Sequence, residues 1–206
     1  YLSLDGHNVV ELPDAEARLC FIETFRPKCE VPLFQRLDGI YFNTLQDFKR
    51  QNANIYRTYK QADGVIFQSR FNKELTFKFF GEHPNSIVIP NGADVELIKR
   101  MPLLEHSKLD RFENIWSCAA SWRPHKRLGE NIRYFFEHSH ENDCLVVAGK
   151  VSDKFEKSDR IFYVGEIDYE HLLSLYKASK YFLHLAWLDH CPNVVVDARA
   201  SGCQIV

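Results

Sequence analysis

Several short signatures that mark common enzyme classes are missing from this chain. It contains no Gly-x-Gly-x-x-Gly turn and no Walker Gly-Lys-Ser/Thr, so a dinucleotide dehydrogenase or a P-loop ATPase has no local support. A Gly-x-Ser-x-Gly elbow is also missing, which removes the usual cue for an α/β-hydrolase. None of the six cysteines forms a Cys-x2-Cys pair, so no zinc site is expected and the metal set is empty. Cys20, Cys118, Cys144 and Cys203 are instead flanked by strand-like apolar residues, as befits buried free thiols in a reducing cytosol. No apolar run reaches the length of a bilayer span, and no signal-peptide pattern stands at the start; cytoplasmic residence is the expectation. A net charge of −2 over 206 residues gives no general attraction for nucleic acid or an acidic lipid surface. No repeat, low-complexity tract or coiled-coil heptad is visible.

With 45% apolar and 14% aromatic residues, the chain has ample material for a core. Residues 1–7 read as the last turn of a helix with a Gly stop, and residues 8–12 as a short strand. Short apolar runs at 18–23, 32–37, 64–67 and 86–89 predict buried strands. Between them, residues 46–62 place Phe48, Ile55 and Tyr59 on one helical face, and residues 71–80 form a second helix. Pro90-Asn91-Gly92 is strong turn chemistry that reads as hinge geometry, and the polar stretch that follows, with Pro102 inside, reads as a linker over 98–112. A second alternation then begins. Strands are expected at 114–119, 144–148, 160–164 and 181–185, with helices at 127–138 and 169–179. Strands alternating with helices argue for parallel sheets covered on both faces. The expected fold class is therefore α/β with two Rossmann-like parallel-sheet domains, residues 1–97 and 113–206.

The most informative stretch is 187–206, Trp-Leu-Asp-His-Cys-Pro-Asn-Val-Val-Val-Asp-Ala-Arg-Ala-Ser-Gly-Cys-Gln-Ile-Val. Pro192 suits a first helical position, Val194 to Ala200 fit about two turns, and Ser201-Gly202 make a left-handed stop before a buried strand at 203–206. A helix N-terminus offers free N–H groups and positive potential to an anion. Asp189 in the preceding loop and Asp197 within the helix add acceptors for sugar hydroxyls. On spacing alone, both aspartates also read as solvated charges on an ordinary βα unit, and Asp189 as a cap for the helix through Asn193 or nearby amides.

The Asp-x7-Asp pattern, with Cys-Pro-Asn before the helix and Ala-Ser-Gly after it, resembles the Glu-x7-Glu element of family 4 glycosyltransferases, retaining enzymes of the GT-B fold. Both acids here are one methylene shorter than in that family. Other segments carry the likeness in the family's order. They are Gln35-Arg-Leu-Asp-Gly-Ile-Tyr41, Gln61 to Arg70, Ile87-Val-Ile-Pro-Asn-Gly-Ala-Asp94, Ser121-Trp-Arg-Pro-His-Lys126, Leu145-Val-Val-Ala-Gly149 and Ile161-Phe-Tyr-Val-Gly-Glu-Ile167. The resemblance runs from about residue 33 to the end. It implies a cleft between the two domains that holds a nucleotide-diphosphate sugar. Arg123 and Lys126 would meet the donor diphosphate, Gly165 and Ile167 would flank the base, and Pro192, Asn193 and Val194 would present the helix N-terminus. Asp197 would accept from the ribose. Asp189 would lie by the transferred sugar, and Asp38 would be an acceptor-side catalytic candidate that reads equally as a partner for Arg36. The family's usual Arg position is Ser121 here, which leaves open whether Arg123 takes over that role.

By the same resemblance the reaction would proceed with retention and without a metal, in line with the lack of an Asp-x-Asp pair of the GT-A kind. No cofactor is implied beyond the sugar nucleotide itself. The acceptor would be a growing glycan or a glycolipid of polysaccharide biosynthesis, the latter bringing the protein to a membrane surface. Two other readings stay open, a sugar-nucleotide epimerase of the same fold and a non-catalytic nucleotide-sugar-binding module. The family's opening strand and glycine turn, and its closing strand-helix units, have no counterpart in these residues, so a fragment of a longer protein is an expectation too. The donor base, the sugar, the linkage and the oligomeric state have no sequence signal.

Overall fold

A computed structural model describes residues 6–11, 14–151, 155 and 157–206. They fall into two compact units, Tyr1–Pro90 and Asn91–Val206. In the first unit, β1 (Arg18–Phe21), β2 (Leu33–Leu37), β3 (Gly64–Phe67) and β4 (Ser86–Val88) form one sheet in the order β1-β2-β3-β4. Every pairing is parallel, so the chain must cross over between strands. Helix α1 (Phe48–Gln61) follows β2, and α2 (Arg70–Phe80) follows β3. Asp47 and Ser69 cap them by accepting the N–H groups of Arg50 and Asn72. The apolar face foreseen on α1 buries Ile55 and Tyr59 against Leu37, Val65 and Phe67, while Phe48 meets Phe79 edge to face. Residues 8–11 carry no strand, contrary to expectation, and residues 1–5 and Leu12 lie outside the described residues. Cys20 is half-buried rather than buried, because β1 is the edge strand of this sheet.

The second unit starts earlier than expected. Helix α3 (Val95–Arg100) and the chain as far as residue 112 are part of it, with Ile98 and Leu109 buried in its core. The stretch expected as a linker is packed chain. Met101, Leu104 and Phe112 pack against the same cluster, and the turn cues around Pro90 mark the boundary between the units. Strands β5 (Asn114–Ala119), β6 (Asp143–Ala148), β7 (Ile161–Gly165), β8 (Tyr181–Phe182) and β9 (Gln204–Ile205) build a parallel sheet in the order β7-β6-β5-β8-β9. Helices α4 (Leu128–His138), α5 (Tyr169–Ala178) and α6 (Asn193–Ala200) complete the unit. Strand β6 is buried along its whole length. Cys144, Val146 and Ala148 enter one apolar cluster, and Leu145 and Val147 enter the other, so both faces of the sheet are covered.

Strand β9 departs from the expected buried strand. Both of its residues are exposed, as β9 pairs only with β8 among the described residues. Among the described residues no helix is long and apolar enough to cross a membrane.

Candidate functional site

Strand order reverses at β5, since the chain proceeds to β6 on one side and returns to β8 on the other. In open parallel sheets such a switch point leaves a crevice outside the carboxyl ends of the two strands, where ligands bind. Two loops meet there. One follows β5 and contains a 3-10 turn, Pro124–Lys126; the other runs from β8 to α6. Trp187 N–H donates to the His125 carbonyl at 2.8 Å and laces them together.

Lys126 Nζ donates to Asp189 Oδ2, and the same oxygen lies 3.1 Å from His184 Nε2. Asp189 Oδ1 accepts the N–H of His190 at 3.1 Å. Burial opposes ionisation of this carboxyl, but the hydrogen bonds and charges of His184 and Lys126 outweigh it and hold the pKa down at about 2. Asp189 is therefore a carboxylate with its acceptors engaged. It does not cap α6 through Asn193. His125, in the same turn, is pushed below the usual histidine range by burial and by the charges of Lys126 and Arg123, with Asp189 opposing. Arg123 stands just ahead of the turn in extended backbone, exposed, and forms no ion pair among the described residues. Of the two expected cations, Lys126 is paired and Arg123 is open to solvent.

Helix α6 begins at Asn193, with Pro192 as its N-cap rather than its first helical residue. Pro192 has no side-chain oxygen to offer, so no side chain caps the helix, and the amides of Asn193 and Val194 open it. Asn91 Nδ2 donates to the Cys191 carbonyl at 2.9 Å and to Asn193 Oδ1 at 2.6 Å. Asn91 thus fastens this helix start, a contact the hinge reading of Pro90-Asn91-Gly92 did not contain. The other end closes as expected. Gly202 has φ +105, and the N–H groups of Gly202 and Cys203 bond the carbonyls of Arg199 and Ala198 in a Schellman arrangement. Asp197 is only 6% exposed. Desolvation raises its pKa, partly offset by a hydrogen bond from Tyr169. The buried Tyr176 ring is also close enough for its hydroxyl to feel the Asp197 charge.

Gly165 ends β7 with φ +72, and its carbonyl accepts the N–H of Gly149 at 2.7 Å. Ile167 lines an apolar cavity of about 140 Å³ with Val146, Phe162, Val164 and Leu175. Asp38 belongs to the first unit, at the carboxyl end of β2, where Arg36 and Gln68 both donate to its Oδ1.

Three residues of this geometry escaped the reading of the sequence. His184 reads as one more position of a strand, and Asn91 as part of a turn. Asn131 carried a detectable signal, since a polar residue interrupts the apolar stripe Leu128, Ile132, Phe135 on α4. Its side chain is buried and joins the two loops.

No protein-family model matches the chain, and no curated protein matches it in sequence. Solved structures do match in fold. Sucrose-phosphate synthase from Thermosynechococcus elongatus superposes with a TM-score of 0.66 at 15% identity, over 84% of this chain and 49% of that one. HepE from Anabaena, in complex with UDP and glucose, gives 0.65 at 15% identity over 84% of this chain and 52% of its own. An α,α-trehalose-phosphate synthase (UDP-forming) from Burkholderia xenovorans, in complex with glucose-6-phosphate, gives 0.63 at 13% identity, covering 84% and 52%. The chain has the α/β fold of these GT-B glycosyltransferases and spans about half of their length.

Proposed function

We propose that this chain carries the nucleotide-sugar site of a glycosyltransferase, and that the site is the crevice between β5 and β8. The observation that carries the reading is the convergence of the Lys126 turn and the uncapped start of α6 on that switch point. A nucleoside diphosphate needs positive potential that does not have to be reorganised as charge develops on the leaving group. Arg123, with its planar fork of donors, would grip the diphosphate oxygens from solvent. Lys126 would add a point charge held in place by Asp189. The amides of Asn193 and Val194, behind Pro192, would take an oxygen at the positive end of α6.

Asp197 would accept from the ribose hydroxyls, exchanging its bond from Tyr169 for bonds from the ligand. Gly165 and Ile167 would border the base. The sugar would lie toward Asp189, whose engaged carboxylate suits a role in orientation rather than in attack on the anomeric carbon. Asp38 would serve the acceptor side. Transfer would proceed with retention, and the cations Arg123 and Lys126 would do the work that a metal does in other transferases. The acceptor would be a glycan or a glycolipid, which for a lipid-linked acceptor would bring the protein to a membrane surface. The fold match to HepE in complex with UDP and glucose supports the donor class without naming the base used here.

The test is calorimetric titration of the chain with UDP, GDP, ADP and their sugars, repeated on Lys126→Ala and Asp197→Asn. Micromolar binding of one nucleotide, weakened at least tenfold in both variants, is the expected result. Binding that is indifferent to both substitutions would remove the site from the β5/β8 crevice.

A further inference from the structure

Asn131 is 1% exposed and sits on the inner face of α4, between Leu128 and Ile132. Its Nδ2 donates to the Arg127 carbonyl at 2.8 Å and to the Lys126 carbonyl at 3.3 Å. Its Oδ1 accepts the N–H of Leu185 at 3.1 Å. One side chain thereby grips the residue that carries the cation and the strand extension that leads to Asp189. We propose that Asn131 is the positioning residue that sets Lys126 against Asp189; its consequence for donor binding rests on the functional reading above.

The choice of side chain follows from what the place demands. Arg127 has a left-handed backbone, φ +54, with no side-chain cap for the helix it precedes. That turn directs the carbonyls of residues 126 and 127 to the same amide, and Arg127 O also accepts the backbone N–H of Asn131 at 3.1 Å. Two carbonyls on one side and an N–H on the other call for a group with donors and an acceptor at short reach. A side-chain amide has both. A leucine of similar size would leave the Leu185 N–H and the Lys126 carbonyl unmatched, and an aspartate would set a carboxylate against carbonyl oxygens. The backbone bond from Trp187 to His125 would survive either change, so the loops would stay near one another while Lys126 and Asp189 lost register.

The experiment uses the whole chain with Asn131→Leu, Asn131→Asp and, as a packing control on the next residue of α4, Ile132→Val. The Asp189 carboxyl is titrated by carbon NMR, and UDP binding is measured by calorimetry. In both Asn131 variants the Asp189 midpoint should rise toward the ordinary carboxylate range and UDP affinity should fall about tenfold, a change of ~1.4 kcal/mol. The control should leave the midpoint in place and the affinity within about twofold. A folded Asn131→Leu protein whose Asp189 midpoint does not move overturns the proposal. The wild-type chain guards against variants that fail to fold. The side-chain NH2 protons of Asn131 should exchange with solvent as slowly as the amides of β6, and fast exchange overturns the proposal as well. If the wild type binds no UDP, GDP or ADP, the donor reading fails separately, and the Asp189 titration still decides the role of Asn131.

Discussion

Lys126 and Asp189 are 63 positions apart in the chain and form an ion pair at the carboxyl ends of adjacent strands. His184 lies on the same carboxylate oxygen, so Asp189 serves two basic groups at once. Lys126 is thus kept partnered, and its position is set by the fold itself. Such prior organisation is what an electrostatic catalyst requires, because dipoles that need not reorient cost nothing at the moment of reaction.

The ion pair sets an acid limit. The Asp189 carboxyl is held at about 2, below its ordinary value, so its ionised form is favoured in the folded state. The stability it contributes is present above the ordinary carboxylate pKa and disappears as pH falls through the folded value. Asp189→Asn should therefore cost on the order of 2 kcal/mol at pH 7, with the gap to wild type narrowing between roughly pH 4 and pH 2. Urea denaturation of both proteins across that range checks it.

Asp197 should behave in the opposite way. Desolvation raises its pKa, so the neutral acid is favoured in the folded state and stability from this group is lost as pH rises through the raised value. Asp197→Asn should melt at a higher temperature than wild type at pH 7 and at the same temperature near ~pH 3, where both side chains are neutral. The same variant should lose nucleotide affinity. A gain in stability with a loss of binding is the mark of a residue retained for function.

Two glycines with positive φ should respond differently to alanine. At Gly149, φ is +103 and an added Cβ would come within 2.1 Å of the Ala120 carbonyl oxygen. Gly165, with φ +72, has nothing within 4 Å of the added atom. Gly149→Ala should cost about 3 kcal/mol or more, because backbone has to move, and Gly165→Ala about 1 kcal/mol for conformation alone. Denaturation midpoints measured side by side decide this.

The cysteines should separate by reactivity. Cys29 is exposed, and a hydrogen bond from Arg18 lowers its thiol pKa. Burial pushes Cys144 and Cys203 up to about 11 and raises Cys118 as well. Iodoacetamide at neutral pH should label Cys29 first and leave those three untouched until the chain unfolds. Arg18→Ala should slow the labelling of Cys29. Mass spectrometry of timed samples reads both effects.

Strands such as Gly64–Phe67 and Asn114–Ala119 are legible to the residue because each is a short, mainly apolar segment closed by turn-forming or polar neighbours. The end of α6 was legible too, since Gly202 is the one residue there that takes φ +105 without strain. The loop-helix pattern points to Asp189 and Asp197 as candidates, and the resemblance adds Lys126. Their partners were invisible. The bonds from Lys126 and His184 to Asp189, and from Asn131 to Leu185, join segments that become neighbours only when β8 pairs with β5. Residues 98–112 read as a linker for a related reason. Ile98 and Leu109 stand in a stretch broken up by charged residues and Pro102, and their burial depends on the unit they pack into.

Parallel pairing throughout the second sheet has a kinetic consequence. No hairpin can seed it, and β5 can gain β6 through a single helix long before β8 arrives from the far side. Closing that longer loop is the costlier step. Since the Lys126 turn hangs from β5 and Asp189 follows β8, a refolding chain should regain most of its helix signal while Lys126 and Asp189 are still apart. The last event in folding would be the closing of that ion pair.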